Sequence, residues 1–320
     1  MIFLNQIRQM RNNLVKRSFI FLLIALVQAI NIMAQDLEPR SLSAIPTGGN
    51  FAVVSYGYSS GNILLDNSLP IEGLNSSSNN VILAYGRSFK SFKHLSKFDV
   101  VLPYSFAKFE GLVNNLDSST YRNGFGDVLL RYSIVLIGGE PMNVKEFFTH
   151  EQKKFKLGIL ARARLPIGNY DPAKLLNLGA NRWSLKLGID ASYTFFRRLI
   201  VEGHANSWFF TENSEFFNGN SIKQKPLLSF QLHTTYVFKP GVWLAVSVGR
   251  SALGETILNG VERNDLQNNS RYGAAFAFKL NKNNALKFGV TSGITTRYGA
   301  NFTSVLVAYQ FMWFDKIKPS

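Results

Sequence analysis

Thr303-Ser-Val-Leu-Val-Ala-Tyr-Gln-Phe-Met-Trp313 is the stretch whose reading decides the fold. Taken alternately, it puts Val305, Val307, Tyr309, Phe311 and Trp313 on one face. The other face carries Leu306, Ala308, Gln310 and Met312. A period of two places each set on one side of a pleated sheet. A water-exposed edge strand with five large apolar residues on one face would invite aggregation unless something covered it.

The same alternation recurs along the chain. Trp183–Phe195 sets Trp183, Leu185, Leu187, Ile189, Ala191, Tyr193 and Phe195 against Ser184, Lys186, Gly188, Asp190, Ser192 and Thr194. Phe155–Leu165, Phe125–Ile137 and Phe98–Ala107 behave likewise. Leu227–Phe238 sets Leu228, Phe230, Leu232, Tyr236 and Phe238 against Ser229, Gln231, His233 and Thr235. Adding Phe51–Ser59, Val81–Phe89 (whose face assignment is ambiguous), Leu199–Phe210, Val242–Gly249, Arg271–Leu280, Ala285–Thr295 and Thr303–Trp313 predicts about twelve strands, each near the length that crosses a bilayer.

The connections alternate as well. Gly61–Asn80, Lys108–Gly124, Pro166–Arg182, Thr211–Pro226 and Arg250–Ser270 are long and rich in Asn, Ser, Gly and Asp, while the matching link Thr296–Phe302 is short. On the opposite end, Lys90–Lys97, Arg197–Arg198, Lys239–Gly241 and Asn281–Asn284 are short turns. Gly138–Lys154 is long on the short side; Val144, Phe147 and Phe148 have roughly helical spacing there, and a missed strand is the other reading.

Composition narrows the class. Residues 1–34 read as a secretory signal peptide: Arg8, Arg11, Lys16 and Arg17 precede the apolar run Phe19–Ile30, and Ile32-Met33-Ala34 offers a cleavage site before Gln35. Removing the four basic residues there lowers Lys+Arg from 35 to 31 against 20 acidic residues, a net charge of +11. These charges are scattered, with no Lys/Arg cluster interleaved with aromatics of the nucleic-acid-tracking kind. The absence of cysteine excludes disulfides and thiolate metal sites. No later stretch approaches the roughly 18 consecutive apolar residues of a spanning helix.

Export, one-sided strands and unequal links together predict an all-β fold: a transmembrane antiparallel up-and-down β-barrel of about twelve strands. Only helices and closed barrels satisfy their backbone groups in lipid. The expected layout is signal peptide 1–34, periplasmic lead-in 35–50, barrel 51–314 and C-terminal tail 315–320. Bacterial outer-membrane barrels finish with a strand like Tyr309-x-Phe-x-Trp313, which closes the sheet and is the segment the assembly machinery engages. The expected location is therefore a Gram-negative outer membrane, with its lipid and its assembly machinery as partners.

Several blocks strengthen this. Leu37-Glu-Pro-Arg-Ser-Leu-Ser43, Arg122-Asn-Gly-Phe-Gly-Asp127, Phe155-Lys-Leu-Gly158 with Arg162-x-Arg164-x-Pro166, Lys174-Leu-Leu-Asn-Leu-Gly179 with Asn181-Arg-Trp183, Ser292-Gly293, Thr296-Arg-Tyr-Gly299 and Tyr309-Gln-Phe-Met-Trp-Phe314 resemble the outer-membrane proteins named for the meta pathway of phenol degradation. The resemblance covers nearly the whole mature chain. It implies an outer-membrane transporter barrel tied to aromatic-compound degradation by name, and it carries no catalytic residues.

If the aromatic faces meet lipid, the charged ones line the lumen. Counting along the strands puts Asp127, Arg164 and Lys186 near the outer end. Arg131, Arg162 and Asp190 fall one layer lower, with His204 on the next strand and Glu202 and His233 nearby. Opposite signs are expected to pair across adjacent strands, since an unpaired charge in a narrow lumen is costly. These layers would act as a constriction selecting polar or anionic solutes; the plainer reading, charges that fill the barrel and pin its register, carries more weight. At the mouth, Tyr121 with Arg122, Tyr170 with Asp171, Phe216 with Phe217, and Arg297 with Tyr298 are candidates for recognising a ring-bearing or anionic ligand. Membership of the interfacial girdle is the alternative for the aromatic ones.

No cofactor or metal is expected. His204, His233 and Glu202 lack a clear further ligand, and Gly124-Phe-Gly126 lacks the later glycine of a dinucleotide loop. A membrane lipase would need a histidine on the lipid face beside a hydroxyl nucleophile. His94 and His150 fall in links, and His204 and His233 fall on lumen faces, so no enzyme is expected. The expected function is passive passage of small solutes, aromatic or otherwise hydrophobic or anionic. The alternatives are a non-transporting structural barrel with an occluded lumen and, third, a membrane-embedded hydrolase.

Overall fold

The computed structural model describes residues 37–64 and 71–315. The expected signal peptide and most of the expected tail fall outside the described residues. The strands are β1 (Gly49–Leu64), β2 (Ile71–Ser91), β3 (His94–Val113), β4 (Leu116–Phe125), β5 (Val128–Ile137), β6 (Phe155–Leu165), β7 (Ser184–Phe195), β8 (Leu199–Phe210), β9 (Asn213–Phe216), β10 (Asn220–Gln224), β11 (Leu227–Lys239), β12 (Val242–Leu253), β13 (Thr256–Leu258), β14 (Val261–Glu262), β15 (Gln267–Lys279), β16 (Asn284–Gly293) and β17 (Gly299–Phe314).

Antiparallel pairing runs around the sheet and closes it: β17 pairs with β1 from Gly49↔Phe314 to Leu64↔Gly299. With β4 and β5 counted as one strand interrupted at Gly126 and Asp127, twelve strands make a transmembrane barrel. The last strand thus closes on the first, so neither presents a free edge. A separate sheet, β14-β13-β10-β9, lies in the outer connections 211–226 and 250–270.

The faces are inverted relative to a soluble sandwich. Val54, Tyr56, Leu187, Ile189, Val307 and Tyr309 are exposed, while Asp190, Glu202, His204 and His233 are buried. Lipid covers the first set and the barrel encloses the second. The β2 face that the sequence left ambiguous presents Val81, Leu83 and Tyr85 outward.

Two stretches expected as loops are strands. β1 with β2, and β3 with β4, pair far beyond the girdle residues Tyr56 and Phe106. The 21 residues of β2 reach about 70 Å, roughly twice what a crossing strand needs. Above lipid neither face of a strand must be apolar, so Asn75, Ser77 and Asn79 look like loop residues while their backbones pair. The result is a wall on one side of the mouth. Inside it Leu74, Ala107 and Phe109 form a small apolar cluster with Ile63, Leu176 and Leu178, the last two from connection 166–182.

On the periplasmic side, connection 138–154 holds a short helix α1 (Val144–Thr149), started by a capping box between Asn143 and Glu146. That settles the open alternative in favour of the helix. Two periplasmic turns, Phe92-Lys93 and Phe196-Arg197, have positive φ at both central residues, the geometry that follows strand twist. Phe92 and Phe196 are 85% and 91% exposed at their tips.

Candidate functional site: a plugged, basic lumen

The register across β5 to β8 fixes the lumen in rows. Arg131 stands opposite Arg162, Arg162 opposite Lys186, and Lys186 opposite Trp208. Arg164, Ser184 and Phe210 share the row above. Two rungs below the cation row come Gly158, Asp190, His204 and Gln231; Lys156, Ser192, Glu202 and His233 lie beneath those. The layers therefore differ from the expected ones: Lys186 joins Arg131 and Arg162, and Asp190 sits lower with His204. Nor do opposite signs simply alternate across the strands. Three cations abut, which is unfavourable on its own, with Asp99 of β3 opposite Arg131 as the strand-borne carboxylate (Arg131 Nε donates to it at 2.6 Å).

Another counter-charge comes from the lead-in. Residues 35–50 are expected on the periplasmic side; the described part, residues 37–48, instead rises inside the barrel. Glu38 accepts from Arg131 Nη1 at 2.6 Å and from Arg162 Nη2. Lower down, Glu202 accepts the backbone N–H groups of Arg40 and Leu42. Lys97 Nζ donates to the carbonyls of Ser41 and Ser43 at 2.8 and 3.0 Å. Ser41 Oγ donates to Asp190 at 2.9 Å and lies 3.2 Å from His204 Nε2. The segment is drawn in because lumen cations and carboxylates supply partners for its carboxylate and its backbone, which an apolar interior could not. Burial works against ionising Glu38, but Arg162 and Arg131 outweigh it and hold the carboxyl well below its ordinary value of 4.5.

His204 and His233 face each other with ring centroids 4.6 Å apart. His233, 0% exposed, bonds to Ser247 and Gln231. Among the described residues no group of three or more His, Asp or Glu is placed to hold a metal.

Asp127, expected as a lumen charge, does different work. Its two oxygens accept the N–H groups of Gly168 (3.1 Å) and Ala180 (2.9 Å), so it clamps connection 166–182 at both ends. Gly168 fits only without a side chain, since a Cβ there would stand 2.6 Å from the Gly126 carbonyl carbon. The mouth candidates do not converge on one pocket. Arg122 holds the Leu176 carbonyl, Tyr170 the Glu215 carbonyl, and Asp171 bonds to Lys174 and Asn177. Arg297 lies over the Tyr298 ring, and Tyr121 is exposed on β4 beneath Lys108.

Beside the plug lies a cavity of about 430 Å³. Lys97, Arg131, Arg162, Lys186, Lys287 and Arg40 face it, against Glu38 and Asp190. A second, of about 630 Å³, opens at the periplasmic end under α1. Arg40 of the plug lines both. Lys97, Lys287 and the whole plug escaped the sequence reading; Lys97 and Lys287 do fall on the polar face of their strands, which was the available signal.

The family model described as "Putative MetA-pathway of phenol degradation" matches residues 73–309. The chain belongs to this family. The fold is similar to that of an outer membrane channel from Pseudomonas putida F1, with TM-score 0.74 and 20% identity, covering 87% of this chain and all of that one. The transport unit of the autotransporter AIDA-I from Escherichia coli is more distant, at TM-score 0.50 and 11% identity over 87% of this chain and 93% of that one. No curated protein matches the sequence.

Proposed function

We propose that this barrel passes small anionic solutes passively across the outer membrane, around or past its own lead-in. The observation that carries this is the cavity beside the plug, where six cations face two carboxylates. Such a surplus concentrates anions and repels cations. Passive passage is the reading a closed barrel supports: among the described residues there is no nucleotide site to drive solutes against a gradient. Twelve strands lie between the filled eight-stranded barrel and the open channels of sixteen or more, which fits a narrow path. Aromatic solutes enter this reading through the family's name.

Reconstitution tests it. In planar bilayers under a salt gradient the reversal potential should show anion preference, and Arg131→Ala, Arg162→Ala and Lys287→Ala together should abolish it. An unchanged reversal potential in that variant would remove the selectivity role.

One observation favours a second reading, a structural or surface barrel: the lead-in already fills part of the lumen. Liposome swelling separates the two, since a non-transporting barrel gives none. The hydrolase alternative needs a histidine on the lipid face, whereas His204 and His233 are buried in the lumen. Cleavage after Ala34 and recognition of β17 by the assembly machinery complete the proposal. Amino-terminal sequencing of the outer-membrane form checks the first.

A further inference from the structure

One rung above the plugged row is a group of cations in a different setting. Trp208 and Phe210 point into the lumen near its outer end and stack with centroids 6.4 Å apart and planes 11° from parallel. The Arg182 guanidinium lies 4.6 Å from the Phe210 ring centroid, and that of Arg164 lies 5.8 Å from the Trp208 centroid. Lys186 Nζ is 5.5 Å from Trp208 as well. Rings can hold a cation's face, but they leave its N–H donors unsatisfied in the plane. Arg182 Nη2 donates to Gln224 Oε1, while its Nη1 is buried with no acceptor. Among the described residues no carboxylate lies within ion-pair distance of Arg164 or Arg182. A buried charged donor left without an acceptor is expensive, and two guanidiniums gathered without an acid raise that cost. An anion from outside the chain would supply the missing oxygen atoms.

We propose that Arg164 and Arg182, backed by Trp208 and Phe210, form a capture site for a small organic carboxylate at the outer entrance of the lumen. A carboxylate matches the paired, in-plane donors of a guanidinium better than a spherical anion does. The half-buried rings beside it give an apolar or aromatic body a surface to lie on. The row beneath, Arg162 and Lys186, opens directly onto the cavity beside the plug, so the site hands its ligand to the next cations down. Its place on a path rests on the channel reading above; binding itself does not.

The test is equilibrium binding of benzoate to the full barrel purified in detergent, followed by calorimetry, with benzyl alcohol and chloride as competitors. Benzoate should bind, Arg164→Gln and Arg182→Gln should each weaken it at least about tenfold, and Arg164→Lys should restore part. Benzyl alcohol and chloride should compete poorly. Undiminished binding in both glutamine variants, equal competition by either competitor, or no benzoate binding would overturn the site. Heat-dependent gel mobility confirms that each variant is a closed barrel. Arg182 lies outside the strands, so its variant stands even if Arg164→Gln fails to assemble. Liposome swelling with the same protein reads the channel separately: binding without swelling removes the path and leaves the site.

Discussion

Two groups of cations stand close together toward the outer end of the lumen, and their surroundings differ. Arg131 and Arg162 share Glu38 of the plug, with Asp99 beside Arg131. Among the described residues, Arg164 and Arg182 have aromatic rings and the Gln224 amide oxygen. Among the described residues, the lead-in brings its carboxylate to Arg131 and Arg162. A lumen can thus hold a structural ion network and a site needing an outside anion with the same residue types at nearly the same height. What separates them, among the described residues, is the placement of Glu38.

The largest way to break that contrast is to remove the plug's charge. Glu38→Gln leaves Arg131 and Arg162 without this partner; the cost should fall below the about 3–5 kcal/mol of a fully buried pair, because Glu38 is a third exposed and Arg131 keeps Asp99. The lead-in should loosen and single-channel conductance should rise several-fold. An unchanged conductance would mean that the remaining contacts, those of Lys97, Asp190 and Glu202 among them, hold the segment. Acidification should act through the same group. Because the folded-state pKa of Glu38 is depressed, its contribution is fully present above 4.5 and is lost only as pH falls through the lower bound-state value. Conductance of the wild type should therefore stay flat from about pH 7 to 5 and rise well below 4.5. The Glu38→Gln variant should be open throughout, and a matching acid rise in it would assign the effect elsewhere.

The sequence revealed much of this and hid a definable part. Lipid demands apolarity from one side of every crossing strand, so Trp183–Phe195 and Thr303–Trp313 declared their faces. Above the lipid that demand ends, and β1 to β4 looked like loops because Asn and Ser occupy both faces. Row membership was harder. Counting from strand ends put Lys186 above Arg162, but the register pairs them, and a slip of a rung reorders every neighbour. Asp127 lay on the expected strand, yet the strand breaks at Gly126 and turns its carboxylate to the backbone of another connection. The plug was least legible, since most of its attachments run through its own carbonyls and N–H groups, which no side-chain pattern announces.

A smaller effect should follow from the clamp. Asp127→Ala leaves two N–H groups, those of Gly168 and Ala180, without their acceptor, at about 1–3 kcal/mol each where water cannot replace it. Connection 166–182 should swing from the mouth, read as faster proteolysis after Lys174 on intact cells. Conductance should change less than in Glu38→Gln, because the plug is untouched. If the two variants open the channel equally, the outer connection and not the plug sets the narrowest point.

The smallest expected effect concerns the wall. Leu178 packs, half-buried, against Leu74, Ala107 and Phe109. Leu178→Ala removes only part of a buried leucine's worth, about 1–2 kcal/mol, and leaves the Asp127 clamp intact. Proteolysis after Lys174 should therefore rise only slightly, and benzoate binding at Arg182, a few residues further along the same connection, should stay within about twofold of the wild type. A rise in proteolysis equal to that of Asp127→Ala would show that the connection is seated by the wall and that the clamp only fixes its ends. That result would also explain why β1 to β4 climb so far above the lipid: an apolar backing for this connection needs strands behind it at that height.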